Sequence, residues 1–116
     1  MSVCRLDATS TVPDWAVEGG FFSLTRTGDE LSVVCPEGVV PDDARSEGGW
    51  RALKLEGPFE FSEVGVLDSV AAPLAEAGVG IFVVSTFDTD YVLVKEEQLQ
   101  PTVAALRGQG HEVHEP

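Results

Sequence analysis

Side chains able to do bond chemistry are few in this chain, and their spacing narrows what they can do. His111 and His114 are the only histidines. With Glu112 and Glu115 they could touch a metal ion, but no third histidine and no paired-cysteine motif completes a coordination set. Cys4 and Cys35 fall in segments that read as neighbouring strands, where buried thiols and a facing pair are both open readings. No nucleophile stands at a readable spacing from a base. Gly19-Gly20 and Gly48-Gly49 lack the flanking pattern of a phosphate loop. The chain is therefore expected to hold no catalytic residues, no metal and no cofactor. A different chemistry is suggested by Ser85 and Thr86, which interrupt an otherwise apolar strand, and by the acids Asp88 and Asp90 that follow. Such residues suit either contact with a polar small molecule or a solvent edge and a hairpin turn.

The bulk properties exclude several partners. Twenty Asp and Glu face seven Lys and Arg in 116 residues, a net charge of −13. That field repels phosphate backbones and anionic membrane surfaces, so neither nucleic acid nor membrane is an expected partner. It attracts cations, and it also serves solubility alone. No apolar run reaches the roughly 18 residues of a membrane helix, and the N-terminus has no basic-then-apolar signal pattern. With only two cysteines, the expectation is a cytoplasmic protein.

Residues 2–7, 21–26 and 31–35 read as strands, the last two as a hairpin bent at Gly28-Asp29. Between the first two, Val12-Pro13-Asp14-Trp15-Ala16-Val17 leaves room for one or two helical turns. A polar, turn-rich link from Pro41 to Gly49 leads to a strand at 50–55. The apolar spacing of Leu67, Val70, Ala71, Leu74, Ala75 and Gly78 predicts a helix over 64–77, capped by Ser62 and stopped at Gly78. Pro73 inside it predicts a kink or a displaced start. Strands at 81–86 and 91–95 follow. Pro101 opens a helix over 101–107, and His111–His114 supplies a last short strand.

A repeat links the halves. Phe21–Thr25 aligns with Ile81–Ser85, and Leu31–Val34 with Tyr91–Val94, sixty residues apart. Residues 49–116 thus read β-α-β-β-α-β, and residues 1–48 as a reduced copy of that unit. The economical packing is an antiparallel sheet with both helices on one face. The halves are expected to pack as one compact unit.

The segment Trp50–Gly57, Phe59-Glu60-Phe61-Ser62-Glu63-Val64-Gly65-Val66 and Leu74-Ala75-Glu76-Ala77-Gly78-Val79 resembles the opening of an ACT domain. Ser85-Thr86-Phe87-Asp88-Thr89-Asp90-Tyr91-Val92-Leu93-Val94 resembles the strand pair of one branch. That branch holds small bacterial proteins with two ACT-like halves and the cytosolic arginine sensors of animal cells, and is similar to the regulatory domains of aspartate kinase. Ala16–Thr25 and Asp29–Ser32 also look like the small bacterial proteins. The resemblance implies an α+β, ferredoxin-like ACT fold, a homodimer and a regulated protein partner. It also implies a free amino acid bound between ACT units. Carried onto this chain, the ligand-binding positions are Glu63, Val64, Gly65, Val66 and Leu67, with Val84, Ser85, Thr86, Phe87, Asp88 and Thr89. Many regulatory ACT units have a Pro-Gly pair where this chain has Glu63-Val64-Gly65, and only Gly65 matches.

The chemistry of those positions fits a zwitterion. A helix start offers free N–H groups and a positive dipole end to a carboxylate. Gly65 admits close approach to the backbone, or simply makes the helix-entry turn. Glu63 and Asp88 suit an ammonium, and Asp90 a cationic side chain; Asp88, Thr89 and Asp90 equally suit a turn. Phe87 is either core or a lid on the ligand's aliphatic part. The expected function is an amino-acid-binding regulatory or sensor module. The alternative is an interaction protein that dimerises through ACT-like sheets without a ligand.

Overall fold

The computed structural model describes residues 1–56 and 65–114. The chain separates into two compact units, Met1–Trp50 and Arg51–Pro116.

In the first unit, apolar residues alternate or run together where strands form. β1 (Ser2–Leu6), β2 (Ser23–Arg26), β3 (Leu31–Cys35) and β4 (Ser46–Glu47) make a sheet of order β2-β3-β1-β4. β1 pairs antiparallel with β3, Leu6 opposite Leu31 and Ser2 opposite Cys35. β2 pairs antiparallel with β3, Arg26 opposite Leu31. β4 pairs antiparallel with β1, Glu47 opposite Val3. The β2–β3 bend is closed by Thr27, whose hydroxyl accepts from the N–H groups of Asp29 (3.1 Å) and Glu30 (3.3 Å). Short side chains with local hydrogen-bonding reach favour such turns.

Single 3-10 turns, Asp14–Val17 and Glu37–Val39, stand where a full unit would carry helices. Cys4, Ala16, Leu31, Val33 and Cys35 form the buried cluster between sheet and turns. β4 was not anticipated, because a two-residue Ser-Glu strand has no periodicity to read.

In the second unit, β5 (Trp50–Lys54), β6 (Ile81–Ser85) and β7 (Asp90–Lys95) order as β5-β7-β6. β6 and β7 form an antiparallel hairpin with Ser85 opposite Asp90. The helices are α1 (Asp68–Glu76) and α2 (Leu99–Gly108). Val70 and Leu74 of α1, Leu106 of α2, and Val92 and Val94 of β7 share one cluster. Val92 and Val94 lie two residues apart on a strand and so point to one face. Both helices therefore cover the same side of the sheet, as the sequence predicts.

Three elements differ from their sequence readings. α1 starts at Asp68, not at 64, because Gly65 has φ +84°, outside the helical region. Pro73 lies inside α1 and lacks the N–H that would reach the Ser69 carbonyl one turn back. Residues 111–114 have no regular secondary structure, so the described sheet ends at β5. Ser62, read as a cap, lies outside the described residues. Pro101, by contrast, sits in the first turn of α2, where its missing N–H has no helical partner to lose. No helix among the described residues is long and apolar enough to cross a membrane.

Cys4 and Cys35 are both buried free thiols on adjoining strands. Burial, and then the neighbouring Cys4 sulfur, push the Cys35 thiol up from 9.0 to about 11. The neutral thiol therefore stabilises the fold fully below pH 9. Above that the unfolded thiol ionises first, and the contribution is lost as pH rises toward 11. The thermal midpoint of the native chain is expected to fall between pH 9 and 11 more steeply than that of a Cys35→Ala variant. Parallel profiles in circular dichroism melts would contradict this.

Candidate functional site

Leu55, just after β5, organises one end of the second sheet. Its N–H donates to the Asp90 carbonyl at the start of β7 (3.0 Å). Its carbonyl accepts from the Thr89 hydroxyl (2.5 Å). Thr89 is 6% exposed, so its hydroxyl is committed to this tie rather than to solvent. Thr86 closes the same loop from within. Its N–H and its hydroxyl both donate to the Thr89 carbonyl (2.8 and 3.0 Å). The Thr86 hydroxyl in turn accepts from the Thr89 N–H (3.2 Å).

Of the sequence-derived positions, Thr86 and Thr89 thus hold the β6–β7 turn and fasten it to β5. Ser85 and Asp88 remain exposed, and so does Phe87, at 78%. That exposure removes Phe87 from the core and leaves its ring at the turn's outer surface. Val84 is half-buried in β6. Glu63 and Val64 lie outside the described residues.

Gly65 opens α1. Its φ is positive, and a Cβ added there would meet no atom of the described residues within 4 Å. Its carbonyl accepts from Ser69 N–H (2.9 Å), the first turn of the helix. Leu67 packs on the core cluster, while Val66 accepts at its carbonyl from the Ser69 hydroxyl (2.6 Å). Of the first-turn N–H groups, that of Ser69 is taken by the Gly65 carbonyl and that of Val70 by the Leu67 carbonyl (3.1 Å).

A groove of about 950 Å³ runs along β5. Its walls are β5, the start of α1, α2 and residues 111–114, and they include Val66 but none of 84–89. Since β7 and β6 lie on the other side of β5, the groove and the β6–β7 turn flank β5 from opposite directions. Arg51, Lys54, His111 and His114 line it against Glu56 and Glu112, a balanced rim in a chain of net charge −13. Arg51 pairs with Glu96 at 3.5 Å and His114 with Glu112 at 3.7 Å. These exposed pairs contribute little stability.

Sequence reasoning missed this groove and the contact that shapes it. His111 Nε2 lies 2.9 Å from the Ser69 carbonyl and donates to it, since a carbonyl only accepts. That carbonyl is the one Pro73 cannot reach. Pro73 was visible in the sequence, but nothing in the spacing says that a histidine 42 residues beyond Ser69 supplies the missing donor. Among the described residues, no group of three or more His, Cys, Asp or Glu gathers to hold a metal ion.

Sheets of order 2-3-1 with both helices of the second unit on one face define an α+β, ferredoxin-like protein. A family model described as the ACT domain matches residues 45–108, more than half of the chain, and the chain belongs to that family. A second model, of an N-terminal domain, matches residues 1–43. A crystal structure of an Agrobacterium tumefaciens protein is 45% identical, covers 99% of this chain and 90% of that one, and superposes with TM-score 0.89. A Vibrio cholerae structure shares the fold at TM-score 0.69 and 18% identity, over 95% of this chain and 84% of its own. The rat cytosolic arginine sensor for mTORC1 subunit 1 is 30% identical over 112 residues, 84% of this chain and 34% of that protein. The chain thus spans about a third of the length of that relative.

The Thr89 tie gives a direct test. Thr89→Val keeps the shape and removes the donor, leaving the Leu55 carbonyl without it. The expected loss is about 1 kcal/mol in urea unfolding, with m unchanged. A variant as stable as the native chain would show that the tie does not hold the turn to β5.

Proposed function

We propose that this protein is an amino-acid-binding regulatory module, binding rather than catalytic. The ligand lies at the end of the second unit where α1 begins and the β6–β7 turn projects, with a second ACT unit as the other wall. The observation that carries the reading is Gly65: a positive-φ glycine just before a helix, with no atom of the described residues within 4 Å of where a Cβ would stand. There, the positive end of the helix dipole favours a ligand carboxylate. Asp88, exposed on the neighbouring turn of the fold, suits the ammonium. Membership of the ACT family and the likeness to an arginine sensor support an amino acid, and the strong acidity of the chain favours a cationic one. Glu63 and Val64 belong to the same proposed set, as do Val66, Leu67 and residues 84–87; Thr89 acts by holding the turn. The protein works in the cytoplasm and reports its ligand to a protein partner.

A homodimer forms part of this reading. β2 is the end strand of the first sheet, and it carries Leu24, 36% exposed, beside Phe22, 44% exposed. An end strand with exposed apolar side chains invites pairing with a second copy. The same observation favours the alternative reading, an interaction protein that dimerises with no small ligand.

A thermal-shift screen against the twenty amino acids separates the two. At 100 times Kd, binding adds about 2.7 kcal/mol, a rise of roughly 10 °C for a chain of this size. The shift is expected with a cationic amino acid. It is expected to vanish in Gly65→Val and Asp88→Asn, each compared with its own ligand-free midpoint. No shift with any amino acid favours the interaction protein, and a shift that survives both substitutions places the ligand elsewhere.

A further inference from the structure

The two sheets share the order 2-3-1, but only the first has a fourth strand. There β4, which follows the second 3-10 turn, pairs with β1. In the second unit the equivalent place beside β5 holds no described strand, and the groove of about 950 Å³ lies there.

The edge that faces the groove can be identified. Leu55 turns its N–H toward β7. Backbone groups alternate sides along a strand, so Leu53 turns toward β7 as well, while Ala52 and Lys54 turn their N–H and C=O groups the other way. On that side the groove has apolar walls, Leu53, Leu55, Val70 and Val103 among them.

Opposite this edge stands the segment that follows α2, as β4 follows its 3-10 turn. Residues 111–114 line the groove and alternate in burial: His111 and Val113 are half-buried, Glu112 and His114 exposed. That is the pattern of a strand with one covered face. Three hydrogen bonds to the helical layer hold it. His111 N–H donates to the Leu106 carbonyl (3.0 Å). Arg107 donates to the Val113 carbonyl (2.8 Å). His111 Nε2 donates to the Ser69 carbonyl, the acceptor that Pro73 leaves open.

We infer that residues 111–114 are a movable fourth strand, held off the sheet by the His111–Ser69 latch, whose docking site is the Ala52–Lys54 stretch of the β5 edge, beyond Trp50, whose N–H and carbonyl are bonded to Met1 (3.0 and 2.7 Å). Latched, the tail leaves the groove open. Released, it pairs with Ala52 and Lys54, fills the groove and completes the sheet order already seen in the first unit. The occupant is this chain's own segment, because it follows the right helix, has strand alternation and already forms one wall. The groove shares Val66 with the proposed amino-acid site, but the inference uses only the β5 edge and residues 111–114 and does not depend on a ligand.

Amide hydrogen exchange by NMR on the full chain tests it. Two release variants are used, His111→Ala and Arg107→Gln, so that misfolding of one leaves the other; the Leu53 amide, facing β7, reports that the sheet is intact. In each, the Ala52 and Lys54 amides are expected to slow at least about tenfold relative to the native chain. Adding Glu112→Pro and Val113→Pro removes two adjacent tail N–H groups, one of which must face β5 in any register, and is expected to abolish the slowing. Unchanged exchange in both release variants overturns the inference. So does slowing that survives the prolines, or slowing that grows with protein concentration, which would assign the edge to a second copy.

Discussion

Both backbone groups of Leu55 are hydrogen-bonded to the strand and turn beside it, the N–H to Asp90 and the carbonyl to the Thr89 hydroxyl. This double tie fixes the end of β5 against the β6–β7 turn. It sets which backbone groups of β5 face β7 and which face the groove. It also commits two hydroxyls, Thr86 and Thr89, to structure, and so leaves Ser85, Phe87 and Asp88 as the exposed groups of that turn.

The second constraint is a proline. Pro73 forfeits one helical hydrogen bond, to the carbonyl of the exposed Ser69. Here the loss is made good by a side chain from beyond α2. The helix keeps its buried Val70 and Leu74, and the C-terminal segment acquires an anchor on α1. A helix-breaking residue has in this way become a joint between α1 and the tail.

The sequence carried most of the fold because the strands have strong apolar runs and the hairpins have acidic bends. β3 and β7 were readable from Leu31–Cys35 and Tyr91–Lys95, and α2 from Pro101, Val103 and Leu106. Less legible was whatever depended on backbone sign or distant partners. The positive φ of Gly65 delays α1 to Asp68 against a favourable apolar pattern. His111–His114 reads as a last short strand, yet side-chain bonds to the helices hold it elsewhere. In the candidate site, the hydrogen bonds of the Thr86 and Thr89 hydroxyls within the turn and to Leu55 were not legible, because a hydroxyl's partner cannot be read from its type. The groove along β5 was invisible to periodicity, since its residues come from four separate segments.

The central functional claim is that an amino acid is held where α1 begins and the β6–β7 turn projects. Its most direct test is a ¹H–¹⁵N titration of the full chain with arginine, read residue by residue. The account predicts saturable shifts at Gly65, Val66 and Leu67 together with Ser85, Phe87 and Asp88. Shifts confined to Ala52, Lys54 and the groove, or none at saturating arginine and at each other amino acid, would contradict it.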